Sequence, residues 1–343
     1  MNVTFACYQS QSIIHGGPRV QMLQTKTELE KLGVHVALFD QWTEFDRANT
    51  DLVHLFSANL GTYHLAGILH QYNIPFVVSS IFFTRHSPRY IRSTLAVNAA
   101  LKKMRAGIWT NYEFTRQICD WSRTVLPNTS AEKHLVTEGL GITPNKVSVI
   151  PNGVDGRFES GDPALFKKKY GIDNFILSVS HIGPERKNVL SLIRALKQID
   201  HPAVIIGQVT DTPEAQQCLK EAYGSKNILI IDGLNNDSEM LASAYAAARV
   251  FVLPSLFETP GIAALEAALA GASIVITPYG GTKEYFGSMA TYVDPYSVDA
   301  IRDGITTALN NAPNSNLRSH IKKEFLWSAV AQKTLDIYNS VAA

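Results

Sequence analysis

Residues 254 to 271 read Pro254-Ser-Leu-Phe-Glu258-Thr-Pro-Gly-Ile-Ala-Ala-Leu-Glu266-Ala-Ala-Leu-Ala-Gly271. The run that leads into them, Arg249-Val-Phe-Val-Leu-Pro254, is short, apolar and β-branched, the pattern of a strand buried on both faces of a parallel sheet. Thr259, Pro260 and Gly261 interrupt it. Ala, Leu and Glu from Ile262 onward favour a helix that Gly271 stops. Glu258 is therefore expected at the carboxyl end of a strand, and Glu266 on the first turns of the helix that follows. Open parallel sheets bind ligands at that edge. The backbone N–H groups of Pro260, Gly261 and Ile262 are expected to face the same crevice, at a helix start that suits hydroxyl or anionic oxygens.

An ionised carboxylate accepts two hydroxyl hydrogens in bidentate fashion, the complement of a vicinal diol. Two glutamates at the ends of one loop can thus hold two diols, one on a hexose and one on a ribose. The competing reading makes Glu258 an electrostatic helix cap and Glu266 a solvated helix residue. The strand–turn–helix context favours the first.

Working outward, short β-rich runs alternate with helical patterns along the whole chain. Strands are expected near residues 3–8, 34–39, 52–56, 75–80, 107–110, 124–126 and 146–151. A turn-rich linker around 150–163 precedes a second series near 175–180, 203–207, 228–232, 250–254, 273–277 and 291–294. Such alternation means α/β architecture with doubly wound parallel sheets, and 343 residues suit two domains. The predicted architecture is two Rossmann-like halves facing a cleft.

The stretch Glu258-Thr-Pro-Gly-Ile-Ala-Ala-Leu-Glu266 resembles the E-x7-E signature of the family 4 (group 1) retaining glycosyltransferases of the GT-B fold. The resemblance implies an acceptor-binding domain over 1–155 and a nucleotide-sugar-binding domain over 156–325. A C-terminal helix, about 326–343, is implied to pack back on the first. It implies transfer of a hexose from a nucleoside-diphosphate sugar, UDP-sugar first and GDP-mannose next, to an acceptor hydroxyl in polysaccharide or glycolipid synthesis. The nucleotide sugar is then a co-substrate and no cofactor is expected.

Other positions take roles in that frame. Arg186 and Lys187 lie where the loop after strand 175–180 meets the next helix, and two cations at a strand carboxyl end suit a departing diphosphate. Lys187 matches the family's lysine. The family's earlier arginine position holds His181 and the loop is one residue longer, so Arg186 is expected to take that arginine's place. Gly16 and Gly17, after the first strand, allow backbone amides close to a phosphate. Gly233 matches a family position that borders the nucleobase. Many relatives carry a histidine directly after strand 75–80, where this chain has Ile81. His86 and His15 are the candidates for an acceptor-side or base role.

Composition excludes other classes. The three cysteines are widely spaced without C-x-x-C, as expected of a reducing cytoplasm and not of a zinc or disulfide scaffold. No D-x-D occurs, so no metal is expected. Residues 1–150 carry 14 Lys and Arg against 10 Asp and Glu, a balance of +4, and no acid occurs between Asp51 and Glu113. The basic and aromatic stretch 85–105 is a candidate peripheral contact with an anionic membrane face, although no run is long enough to span one, and nothing points to nucleic acid. Two further readings share this architecture: a sugar-nucleotide 2-epimerase and a non-catalytic sugar-nucleotide-binding protein.

Overall fold

The computed structural model describes residues 1–13, 16–104 and 109–342. They form two compact units. The first is Met1–Gly153 together with the C-terminal helix Trp327–Ala342, and the second is Val154–Leu326.

The first unit holds five parallel strands: β1 (Asn2–Cys7), β2 (His35–Leu38), β3 (Leu52–Phe56), β4 (Phe76–Ser79) and β5 (Thr124–Val125), in the spatial order β2-β1-β3-β4-β5. Every residue of β3 and β4 is buried, as the uninterrupted apolar runs require of strands covered on both faces. The order reverses between β1 and β3. The helix Leu60–Gln71 that follows β3 is started by a capping box, with Asn59 accepting from the Gly61 N–H and Thr62 accepting from the Asn59 N–H.

One expected strand fails, and another lies partly outside the described residues. Residues 146–151 make only an isolated bridge, Val147 to Val125. Ser148 and Ile150 donate to the carbonyls of Val125 and Pro127, but Pro127 has no N–H to return, so the ladder stops. Of the strand expected at 107–110, residues 107 and 108 lie outside the described ones. Thr110 instead caps the helix Asn111–Trp121.

His54, in the middle of β3, is the buried polar group that ties the C-terminal helix to the sheet. Its Nδ1 shares a 2.6 Å hydrogen bond with the Tyr338 hydroxyl, and its Nε2 a 2.9 Å bond with Ser79 Oγ. A neutral imidazole donates from one ring nitrogen and accepts at the other, and the two hydroxyls, each able to donate or accept, complete both bonds without bringing a charge into the buried site. Burial drives the pKa of His54 down from 6.5 to about 3. The unfolded chain takes up a proton at this residue below about pH 6.5, and the folded chain does not until about pH 3. Stability from His54 is therefore fully present above pH 6.5 and is lost as pH falls from there toward 3, by at most about 1.4 kcal/mol per pH unit. Unfolding of the full chain followed at pH 7 and pH 5 should show this extra slope, and His54→Phe should remove it. An identical slope in the variant would refute the assignment.

The second unit has six parallel strands: β6 (Phe175–Val179), β7 (Ala203–Ile206), β8 (Ile228–Ile231), β9 (Ala248–Leu253), β10 (Ser273–Ile276) and β11 (Thr291–Tyr292), ordered β11-β10-β9-β6-β7-β8. The chain builds β6, β7 and β8 in one direction, then returns past β6 to lay down β9, β10 and β11 in the other. The switch point is the gap between β6 and β9.

Candidate active site

The loops that leave β6 and β9 meet at that switch point, where a doubly wound sheet opens a crevice beyond its strand ends. Arg186 and Lys187 lie on a short 3-10 turn, Glu185–Lys187, after β6. Glu258 follows β9. Lys187 Nζ donates to Glu258 Oε1 at 2.6 Å, and Arg186 Nη1 lies 3.2 Å from the same oxygen. The loops are also joined through their backbones. Leu256 N–H donates to the Arg186 carbonyl at 2.8 Å, and Arg186 Nη1 donates to the Phe257 carbonyl at 3.1 Å.

Glu258 is only 5% exposed. Burial alone would raise its pKa, but Lys187 and Arg186 outweigh burial and hold the carboxyl below its ordinary value, so it is an anion at neutral pH. Lys187, with 16% of its side chain exposed against 40% for Arg186, is the better shielded partner. Three charges of net +1 thus sit together, two of them cations already drawn to one point.

Two residues outside the expected site residues hold this cluster. Asn188 adopts φ +54° and sends its amide hydrogens to the carbonyls of Pro254 (3.0 Å) and Pro295 (2.7 Å). Asparagine is among the residues that tolerate this left-handed backbone, which is the signal it carried. Gly280 lies beside the backbone of Glu258, flanked by hydrogen bonds from Glu258 N–H to Tyr279 O and from Gly281 N–H to Glu258 O. Gly280 has φ +96°, and a Cβ there would lie 2.1 Å from the Glu258 carbonyl oxygen.

The helix Ile262–Ala270 starts from Gly261, whose φ of +84° is natural for glycine. The expectation that Pro260 donates fails, because a prolyl nitrogen carries no hydrogen. The helix-start donors are Gly261 and Ile262. Glu266 is not a solvated helix residue: it is 4% exposed and takes hydrogen bonds from Tyr245 Oη (2.6 Å) and Asn236 Nδ2 (3.3 Å). Burial raises its pKa, and the Tyr245 and Asn236 hydrogen bonds oppose that rise. Arg157 donates to the Asn236 carbonyl and steadies that loop. Gly233, with φ +71°, turns the chain just beyond β8.

The remaining candidates belong to the first unit. Gly16 precedes the helix Gly17–Lys31, and its carbonyl accepts from the N–H groups of Arg19 and Val20. His15 lies outside the described residues. His86 is exposed and its Nδ1 is 2.5 Å from the Tyr112 hydroxyl. The basic stretch is less bare than its sequence suggested. Arg92 is held by the carboxylate and carbonyl of Glu138, and Lys102 pairs with Glu113 and stands over the Trp109 ring. Arg105 lies outside the described residues. Among the described residues, no helix is long and apolar enough to cross a membrane, and no three His, Cys, Asp or Glu side chains are grouped to hold a metal ion.

Residues 164–324 match the family described as Glycosyl transferases group 1, and residues 8–157 match Glycosyltransferase Family 4. The chain belongs to this glycosyltransferase family. It is 24% identical over 245 residues to the MMP alpha-(1->4)-mannosyltransferase of Mycolicibacterium hassiacum, a match over 67% of this chain and 57% of that protein. The chain spans about half the length of curated relatives that it matches, 54% and 57% in two cases. Among solved structures it resembles sucrose-phosphate synthase from Thermosynechococcus elongatus, with a TM-score of 0.78 and 17% identity over 99% of this chain and 98% of that one. It also resembles Anabaena Alr3699/HepE in complex with UDP and glucose, with a TM-score of 0.71 and 18% identity over 99% of this chain and 100% of that one. The expected GT-B fold and family are borne out.

Proposed function

We propose that this chain is a retaining, metal-independent glycosyltransferase that moves a hexose from a nucleoside-diphosphate sugar to an acceptor hydroxyl. The observation that carries the reading is the Glu258–Lys187–Arg186 cluster at the switch point between β6 and β9. A sugar nucleotide places a diphosphate beside a hydroxyl-rich ring. Two cations and one carboxylate within ion-pair distance match that pair of groups. The diphosphate gains charge as the glycosidic bond breaks, so Lys187 and Arg186 stabilise the transition state more than the bound substrate. Glu258, kept ionised by those cations, accepts the hexose hydroxyls, and the Gly261 and Ile262 N–H groups add donors. Glu266, oriented by Tyr245 and Asn236, accepts the ribose diol, and the backbone at Gly233 borders the base. The first unit binds the acceptor. A UDP-sugar is the first donor to try, in line with the UDP and glucose bound in the Anabaena structure. GDP-mannose comes next, given the mannosyltransferase relative.

Calorimetric titration without metal against UDP-glucose, UDP-galactose, UDP-GlcNAc, GDP-mannose and ADP-glucose tests the reading. One donor should bind clearly better than the others. Glu266→Gln should weaken that donor by about 10–100-fold, the equivalent of one hydrogen bond to a charged group. Equal affinity in the variant, or no binding by any donor, would count against the site.

A further inference from the structure

Glu266 is buried, yet one of the two groups that bond its carboxylate comes from an exposed turn. Tyr245 reaches Oε2 from the helix Glu239–Ala247 and is itself fully buried, so packing fixes its hydroxyl. Asn236 reaches Oε1 from the segment between β8 and that helix, where residues 235–237 are exposed. Burial does not hold a side chain on such a turn, so its geometry must come from a bond to something rigid.

Arg157 supplies that bond. Its Nη2 donates to the Asn236 carbonyl across 79 residues of sequence. The segment that carries Arg157 is itself held. Val154 N–H donates to the Phe325 carbonyl at 2.7 Å. Asp155 caps the 3-10 turn Gly156–Ser160: its Oδ1 accepts from the Arg157 N–H at 3.0 Å, and its Oδ2 lies 3.3 Å from Arg157 Nε. Phe158 is buried, and its ring meets the Tyr245 ring edge to face at 5.3 Å. One short turn thus touches both partners of Glu266, with Phe158 packed on Tyr245 and Arg157 bonded to Asn236.

Charge acts in the same direction. The Arg157 cation favours the ionised form of Glu266 against the burial that disfavours it, and Asp155 acts the other way. Removing Arg157 leaves Asp155 as an uncompensated anion near Glu266. A carboxylate that takes up a proton loses acceptor capacity, and a ribose diol presents two donors to it.

We infer that Arg157 is a positioning residue for nucleotide recognition: through Asn236 it aims the Glu266 carboxylate at the ribose diol, and so sets the preference for a ribonucleotide over its 2′-deoxy analogue. The inference rests on the donor reading of Glu266 above. The deoxy compound keeps the base and the diphosphate and lacks one hydroxyl, so comparing the two isolates the bonds that the carboxylate makes. A fault in the fold weakens both nucleotides alike, whereas a misdirected Glu266 weakens only the ribonucleotide.

Calorimetric titration of the full chain with UDP, GDP and ADP, each beside its 2′-deoxy analogue, tests this. The nucleotide that binds best should exceed its deoxy analogue by about 10–100-fold, the equivalent of one hydrogen bond to a charged group. Arg157→Gln should bring that ratio down to roughly threefold or less and leave the deoxy affinity within about twofold of the unaltered chain. Arg157→Lys, which keeps the charge and a donor, should restore most of the ratio. Parallel loss of both nucleotides in Arg157→Gln would make Arg157 a structural residue and overturn the inference. A ribose preference that Glu266→Gln abolishes and Arg157→Gln leaves intact would overturn it too, with the donor reading still standing. Equal binding of a ribonucleotide and its deoxy analogue by the unaltered chain, or no nucleotide binding, would instead remove Glu266 from the ribose and the inference with it.

Discussion

Replacing Glu258 by glutamine is expected to lower turnover by about 10²–10³-fold, the scale of losing one preorganised electrostatic partner of the reacting group. The substitution keeps the shape and one acceptor oxygen, so Lys187 retains a hydrogen bond and the loop keeps its place. What disappears is the charge that Lys187 and Arg186 hold in the ionised state. The stability cost should stay near about 1 kcal/mol, because Arg186 is 40% exposed and solvent can take over part of its pairing. Steady-state turnover with the donor identified by titration, combined with urea unfolding, separates the two effects. A variant of unchanged turnover would remove Glu258 from the reaction. A variant that unfolds in proportion to its lost activity would make Glu258 a structural residue.

Gly280→Ala should inactivate almost as strongly without touching a charged group. The new Cβ would fall 2.1 Å from the Glu258 carbonyl oxygen and 3.1 Å from its nitrogen, so the backbone carrying the carboxylate must move. Small displacements of a positioned group cost large factors in rate. The left-handed φ adds about 1–3 kcal/mol of strain in any L residue. Gly171→Ala is the control, since Gly171 also has a positive φ, +71°, but open space around its Cβ position. Both variants should lose stability in the melt, and only Gly280→Ala should lose turnover. Equal activity in the two would show that the Gly280 contact does not position Glu258.

Much of the candidate site was legible because its signals are local. The strand, the Thr259-Pro260-Gly261 break and the helix of 262–270 are each set by neighbours in sequence, and their order alone puts Glu258 at a strand end. The partners were not legible. Lys187 lies 71 residues from Glu258, and Asn236 lies 30 from Glu266. Nothing in sequence spacing announces which of many polar residues will close such a gap. Asn188 and Gly280 carried only the weak hint that asparagine and glycine tolerate left-handed backbone. The pattern misled where one residue type overruled it: Pro127 stopped a ladder expected at 146–151, and Pro260 cannot donate at the start of its helix. The acid-free stretch after Asp51 looked uncompensated because Glu113 and Glu138, which neutralise Lys102 and Arg92, come later in the chain.

By itself, then, the sequence determined the alternation of strands and helices, the doubly wound class, and the placing of Glu258, Arg186 and Lys187 beyond strand ends. These follow from side-chain period and turn chemistry, which act over a few residues. Tertiary structure alone decided that β6 and β9 are neighbours, that one carboxylate oxygen meets both cations, and that Glu266 is buried on Tyr245. Those outcomes depend on strand order and burial, and the ionisation of a carboxylate is set by the balance of lost water against nearby charge, which exists only once distant segments have packed together.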